Sequence, residues 1–217
     1  MTALTIDGRE PLSAAAVNAL DEICDHAEDL PGSGTVALHV TGAPNPDWTG
    51  ALTVGLVTKW ERMVRRLERL PAVTVAVASG DCGGPALDVL LATDLRIATP
   101  DTRLLVPLDG DATWPGMAAH RLVQQAGAAR VRRAVLFGTP IPAPEALALG
   151  LLDELADDPA GAAEATAELA AALSGKELAI RRRLLFDAVF TSFEDALGQH
   201  LAACDRALRR ATAEEAS

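Results

Sequence analysis

The residues best placed to do chemistry lie between Pro71 and Asp94, in the stretch PAVTVAVASGDCGGPALDVLLATD. Gly80, Gly83 and Gly84 crowd into five positions, which permits positive φ and close backbone approach to a ligand. Pro85 follows, and proline suits the first position of a helix. Leu87, Leu90 and Leu91 then repeat at helical spacing. Amides at such a turn and helix start have no helical partner, so they can stabilise negative charge. The chemistry to expect is therefore an oxyanion held by backbone N–H groups, with Asp88 one turn into the helix that follows.

Other side chains carry two readings each. Asp88 is a proton-transfer group or an exposed partner of the helix dipole. Asp109 and Asp111 are spare carboxylates or plain turn residues. Cys82 is a nucleophile or a small buried filler, and no histidine lies near it in sequence. His120 is a base or a solvated side chain. Lys59, Arg62, Arg65, Arg66 and Arg69 meet phosphates or form a wet helix face. Trp48 and Trp114 pack in the core or line an acyl pocket. No GKS or GKT follows the glycine turn, and neither GxGxxG nor the GxSxG elbow occurs.

Positioning these residues is the task of alternating strands and helices. Val73–Ala78 reads as a strand buried on both faces, ended by a turn over 79–84. Strands are expected at 2–7, 35–40, Leu95–Ala98, Arg103–Val106 and Leu151–Leu155. Ser13 caps a helix that ends at Pro31-Gly32-Ser33-Gly34. Leu56, Trp60, Met63, Leu67 and Leu70 mark another helix. The loop TGAPNPDWTGA between them has too many prolines and glycines for regular structure. Helices follow from Pro115, over Ala128–Phe137 with Gly138 as its stop, and over 143–149. The remainder is helical: Pro159–Leu173, Lys176–Phe190, and a helix capped by Ser192 through about Arg210 before a frayed end. Such alternation predicts βαβ units, an α/β fold with a parallel sheet. An α/β core over 1–155 and a helical region over 156–217 are expected.

The chain has 217 residues, 49% hydrophobic, with 3% aromatics and no tyrosine, so its core must be aliphatic and alanine-rich. A net charge of −11 disfavours nucleic acid or an anionic membrane as the main partner. Cys24, Cys82 and Cys204 suggest neither a disulfide framework nor a zinc site. The N-terminus lacks the basic start and apolar run of a signal peptide, and no segment suits a bilayer span. A cytoplasmic protein is expected.

Four segments in order resemble the crotonase (enoyl-CoA hydratase/isomerase) superfamily. They are TGA (41–43) with WTGAL (48–52), GGPALDVLLATDLRIAT (83–99), WPGMAAHRL (114–122) and LFGTPIPAPEALALGLLDEL (136–155). The resemblance implies repeated ββα units, two roughly perpendicular sheets, and C-terminal helices that help to build a homotrimer or hexamer. It implies an acyl-CoA substrate whose thioester oxygen sits between two amides, with no cofactor beyond that CoA and no metal. The carry-over places one donor at Thr49, before Gly50 and Ala51. The second falls nominally on Pro85, which has no N–H. Either Gly84 replaces it by a one-residue shift or the hole is incomplete. Gly50, Ala51, Gly83, Pro85 and Trp114 are the implied substrate contacts. The first hydratase glutamate aligns with Asp88 and the second with Leu108, so ordinary hydration, which needs both carboxylates, is not expected.

The short length, the GDCGGPAL turn and TWPGM most resemble the small crotonase-like members of 3,5-dihydroxyphenylglycine pathways in glycopeptide-antibiotic producers. That implies assistance to a type III polyketide synthase, alongside a sister crotonase, in forming 3,5-dihydroxyphenylacetyl-CoA by cyclisation, dehydration and aromatisation. Pro85 and Leu108 leave a second possibility open: a non-catalytic partner that kept the fold.

Overall fold

A computed structural model of the chain describes residues 2–29, 34–170 and 175–215. Strands β1 (Thr2–Asp7), β2 (Thr35–Gly42) and β3 (Val73–Gly83) lie side by side and parallel. Parallel neighbours need long crossovers, supplied by α1 (Ala14–Asp29) and α2 (Val54–Leu67). Ser13 Oγ accepts the Ala16 N–H at 3.3 Å, as expected of a cap. From β3, α3 (Pro85–Leu91) leads to the parallel β4 (Leu95–Ala98). Pro85 occupies the first turn of α3, as its fixed φ favours. Part of the expected helix-ending PGSG lies outside the described residues.

The glycine segment is not simply a turn. β3 runs on through Gly83 because β5 (Arg103–Leu105) offers Asp81–Gly83 a parallel partner. The β2–β3 register slips there: Thr41 pairs with Ser79, but Gly42 pairs with Cys82. Gly80, at φ +62°, sits in the slip. The sheet thus forks at β3, one branch passing to β4 and β9 (Glu154–Leu155), the other to β5 and β8 (Ile141–Pro142). The expected strand at 151–155 shrinks to β9 because the amides of Leu151 and Leu152 turn back to the Ala146 carbonyl. That carbonyl belongs to α6 (Ala143–Ala148).

Alternation along β3 decides what covers it. Ala76 and Ala78 join the main core with Val36, Leu38, Trp60 and Leu87. Val73, Val75 and Val77 face the other way, onto Ala163 of α7 (Pro159–Ala170). The expected end of that helix, 171–173, lies outside the described residues.

Two departures concern loops. A 3-10 turn, Trp48–Ala51, forms in the loop expected to be irregular. The segment carrying Asp109 and Asp111 is a hairpin, β6 (Leu108–Asp109) against β7 (Ala112–Thr113). Beyond it, α4 (Met117–Ala126) starts at Met117, capped by Gly116, rather than at Pro115, and α5 (Ala128–Phe137) is closed by Gly138 at φ +63°.

The last helices are α8 (Lys176–Asp187) and α9 (Phe193–Glu215). Ser192 Oγ accepts the Asp195 N–H at 3.2 Å, and α9 runs past Arg210 to Glu215 where fraying was expected. Leu185, Val189, Phe190, Phe193, Leu201 and Leu208 remain exposed on this part of the chain. One buried side chain anchors α8. Arg182 donates to both oxygens of Asp94, each at 2.6 Å, and to the carbonyls of Leu70 and Ala72 at 2.6 and 2.8 Å. Asp94 also accepts from the Thr74 amide and hydroxyl, both at 2.9 Å.

Arg182→Met removes five donors and leaves Asp94 without its cation and the Glu68, Leu70 and Ala72 carbonyls without this donor. Breaking one partner of such a pair costs about 3 kcal/mol. Urea unfolding should show that loss, and Arg182→Lys should recover only part of it.

Candidate active site

The carboxyl ends of β1, β2 and β3 converge with almost no side chain between them. A Cβ on Gly8 would lie 2.4 Å from the carbonyl oxygens of both Gly42 and Gly83. Gly84 has φ +55°, and a Cβ there would lie 2.6 Å from Pro44 Cγ. Only glycine satisfies both demands. This packing brings the loop after β2 against the start of α3.

The 3-10 turn is then pinned to the hairpin. Trp48 Nε1 donates to the Leu108 carbonyl at 3.0 Å, and Thr49 Oγ1 to Asp109 Oδ1 at 2.8 Å. The Trp48 and Trp114 rings meet edge to face, centroids 5.1 Å apart. Between this turn, α2, the hairpin and α4 opens a cleft of about 900 Å³. Thr49, Val57, Glu61, Asp109, Trp114 and Arg121 are on its walls, and Arg62 and Arg65 line it too. A second cavity of about 20 Å³ adjoins it, lined by Trp48, Gly84, Pro85 and Asp88; Leu52, Val57, Glu61 and Trp114 line both.

Thr49 and Gly84 therefore occupy neighbouring cavities, with the indole of Trp114 on the boundary. The Trp48 and Gly50 amides bond to the Asn45 and Asp47 carbonyls, both at 3.2 Å. Neither the Thr49 nor the Gly84 amide has a backbone acceptor among the described residues. Gly50 and Ala51 are exposed and Gly83 is buried against Ala43, so none of the three lines either cavity. Pro85 lines the smaller one.

Asp88 is not an exposed dipole partner. Its side chain is 14% exposed and accepts a 2.9 Å hydrogen bond from Trp60 Nε1. Helices α2, α3 and α4 close around it, and α4 contributes the buried Arg121. Arg121 donates to Glu68 Oε1 at 2.7 Å and to Glu61 Oε2 at 3.0 Å, and lies 3.8 Å from Asp88 Oδ1. Burial, then the charge of Glu61, push the Asp88 carboxyl from 3.8 to about 7, against the pull of Trp60 and Arg121. Glu61 is raised by burial and held back by Arg121.

The remaining candidates sort by position. Leu108 carries no carboxylate and is 53% exposed, its side chain beside Gly138. Asp111 is exposed at the hairpin tip. Cys82 is buried, its thiol pushed up to about 12 by burial, which fits the filler reading. His120 is exposed on α4 and lines neither cavity. Arg65 pairs with Glu68 at 2.6 Å, while Arg66 meets Glu28 and Asp25, each at 2.7 Å. Sequence reasoning missed Trp60 as a donor, and Glu61, Glu68 and Arg121 altogether. The usable signal was Glu61 and Glu68, seven apart on one helix stripe among the arginines.

A family model described as enoyl-CoA hydratase/isomerase matches residues 53–217. This chain belongs to the enoyl-CoA hydratase/isomerase family. An Amycolatopsis orientalis protein named enoyl-CoA-hydratase is 61% identical over 207 residues, 95% of each chain. Among solved structures, an enoyl-CoA hydratase/isomerase family protein from Silicibacter pomeroyi superimposes with a TM-score of 0.81 at 21% identity, covering 95% of this chain and 94% of its own. An enoyl-CoA hydratase/isomerase from Marinobacter aquaeolei gives 0.79 at 21% identity, covering 95% and 87%. At such identities the solved structures establish the crotonase fold alone. No helix among the described residues is long and apolar enough to cross a membrane.

Within this crotonase fold the Asp88 carboxyl sets a pH dependence. It ionises near 3.8 when unfolded and near 7 when folded, so the folded state holds the extra proton between those values. Its contribution to stability is complete below pH 4 and is lost as pH rises through 7. Asp88→Asn should flatten that fall by about 2–4 kcal/mol. Urea midpoints at pH 4.5 and 7.5, wild type against variant, measure it.

Proposed function

We propose that this protein works on a CoA thioester by stabilising an enolate with backbone amides. The observation that carries the reading is the cleft of about 900 Å³, lined by Thr49, whose amide has no backbone acceptor among the described residues, and adjoined by a small cavity lined by Asp88, its carboxyl pushed up to about 7 by burial. Two N–H groups facing a thioester oxygen lower the energy of charge that develops there, because they are oriented before the reaction begins. Gly84 is the second donor, since Pro85 has none. The carbonyl reaches Gly84 once the Trp114 indole yields its place at the boundary of the cavities. Asp88 then moves a proton on the acyl chain, for which a pKa near 7 is well matched.

The finer assignment rests on the resemblance. We infer a role beside a type III polyketide synthase and a sister crotonase, in the cyclisation, dehydration and aromatisation that give 3,5-dihydroxyphenylacetyl-CoA. Each of those steps passes through an enolate next to the thioester. No cofactor beyond CoA takes part in this scheme. The exposed apolar residues of α8 and α9 suit burial in a homotrimer or hexamer. A non-catalytic partner is the second reading, favoured by the small cavity of about 20 Å³ at Gly84.

Calorimetry with a CoA thioester should show binding. With the synthase present, Thr49→Pro should cut aromatic product about 10²–10³-fold, the usual loss for one oxyanion donor. Unchanged product would favour the non-catalytic reading.

A further inference from the structure

We propose that Glu61 is the second proton-transfer group of this site, working with Asp88 across the cavity floor to remove water from a 3-hydroxyacyl thioester. The inference rests on the thioester reading above and assigns the half of the acid–base pair that Leu108 cannot supply. Glu61 comes from α2 and Asp88 from α3, yet both line the cavity beside Gly84, and Glu61 alone of the two also faces the large cleft. Both carboxyls approach the same nitrogen, Arg121 Nη1, Glu61 Oε2 at 3.0 Å and Asp88 Oδ1 at 3.8 Å. Trp60 Nε1 donates to Asp88 Oδ2, so Oδ1 is the oxygen turned towards Arg121.

The division of labour follows from these partners. Glu61, the nearer of the two to Arg121 at 3.0 Å, is the ionised member; Asp88, more buried and farther from that cation at 3.8 Å, is the protonated one. Two carboxyls that approach one guanidinium nitrogen in a buried site favour sharing a single proton. The groups facing the pair are Trp60, Glu68 and Arg121, with Arg62 and Arg65 at the rim. In the reaction the Glu61 carboxylate takes the proton from the carbon next to the thioester. The C–H electron pair enters the enolate, whose oxygen rests on the amides. The enolate then collapses, the carbon–oxygen bond at the next carbon breaks, and Asp88 protonates the departing hydroxide. One water leaves, a double bond forms, and the proton count of the pair is restored by transfer from Glu61 to Asp88.

Glu61→Gln keeps an oxygen for Arg121 and tests the proposal in two ways. In deuterated water, wild type should exchange the α-protons of 3-hydroxybutyryl-CoA. Glu61→Gln should bind it within about twofold of wild type yet exchange about 10²-fold more slowly, the scale of a lost proton-transfer group. Carboxyl carbon NMR should show the Asp88 midpoint falling in Glu61→Gln, because a neighbouring negative charge is gone, and returning towards wild type in Glu61→Asp. Equal exchange by wild type and Glu61→Gln, or an unmoved Asp88 midpoint, overturns the role of Glu61 alone. Wild type that fails to bind the thioester overturns the thioester reading and this role with it.

Discussion

Backbone meeting backbone at the carboxyl ends of β1, β2 and β3 is the constraint from which the site follows. Three carbonyl-bearing segments approach so closely at Gly8, Gly42 and Gly83 that one added methyl group would overlap an oxygen. The register slip between Thr41 and Gly42 lets the loop after β2 fold back over the start of α3. Everything downstream of that loop inherits its placement: the 3-10 turn, the Thr49 amide, and the tryptophan that joins it to the hairpin. A packed polypeptide interior tolerates few voids, so the small residues here decide geometry rather than fill space.

The second determinant is electrostatic. Arg121 neutralises part of a field made by Glu61, Glu68 and Asp88, three carboxyls in a largely buried layer. Arg65 shares Glu68, but Asp88 has only Arg121 as a cation among the described residues, at 3.8 Å, and burial with the charge of Glu61 pushes its carboxyl up. Glu61 and Asp88 come from α2 and α3, and the Leu108 carbonyl accepts from Trp48.

Much of the fold was legible because its signals are local. Glycine at 138, proline at 85 and serine at 13 and 192 mark ends whose conformations depend on a few neighbouring residues. The run Val73–Ala78 announced its two buried faces. The extension of β3 to Gly83 was not legible, since its partner β5 lies some twenty residues away and glycine-rich sequence reads as a turn. The site split along the same line. Asp88 and Thr49 were found through a motif, but the burial of Asp88 and its neighbours Glu61 and Arg121 arise from three helices packing together. No spacing within one segment encodes that meeting.

The anchoring of α8 has a bearing on how the molecule can be divided. Arg182 reaches past the surface to carbonyls at the entrance of β3 and to the aspartate that follows α3, while α7 roofs the valines of the same strand. Loss of the segment beyond residue 155 would strip the sheet of its cover and leave the Asp94 carboxylate with only the Thr74 amide and hydroxyl as partners. The terminal helices are thus fastened into the sheet, and a displacement of α8 would be felt first at the entrance of β3, the strand that ends at Gly83.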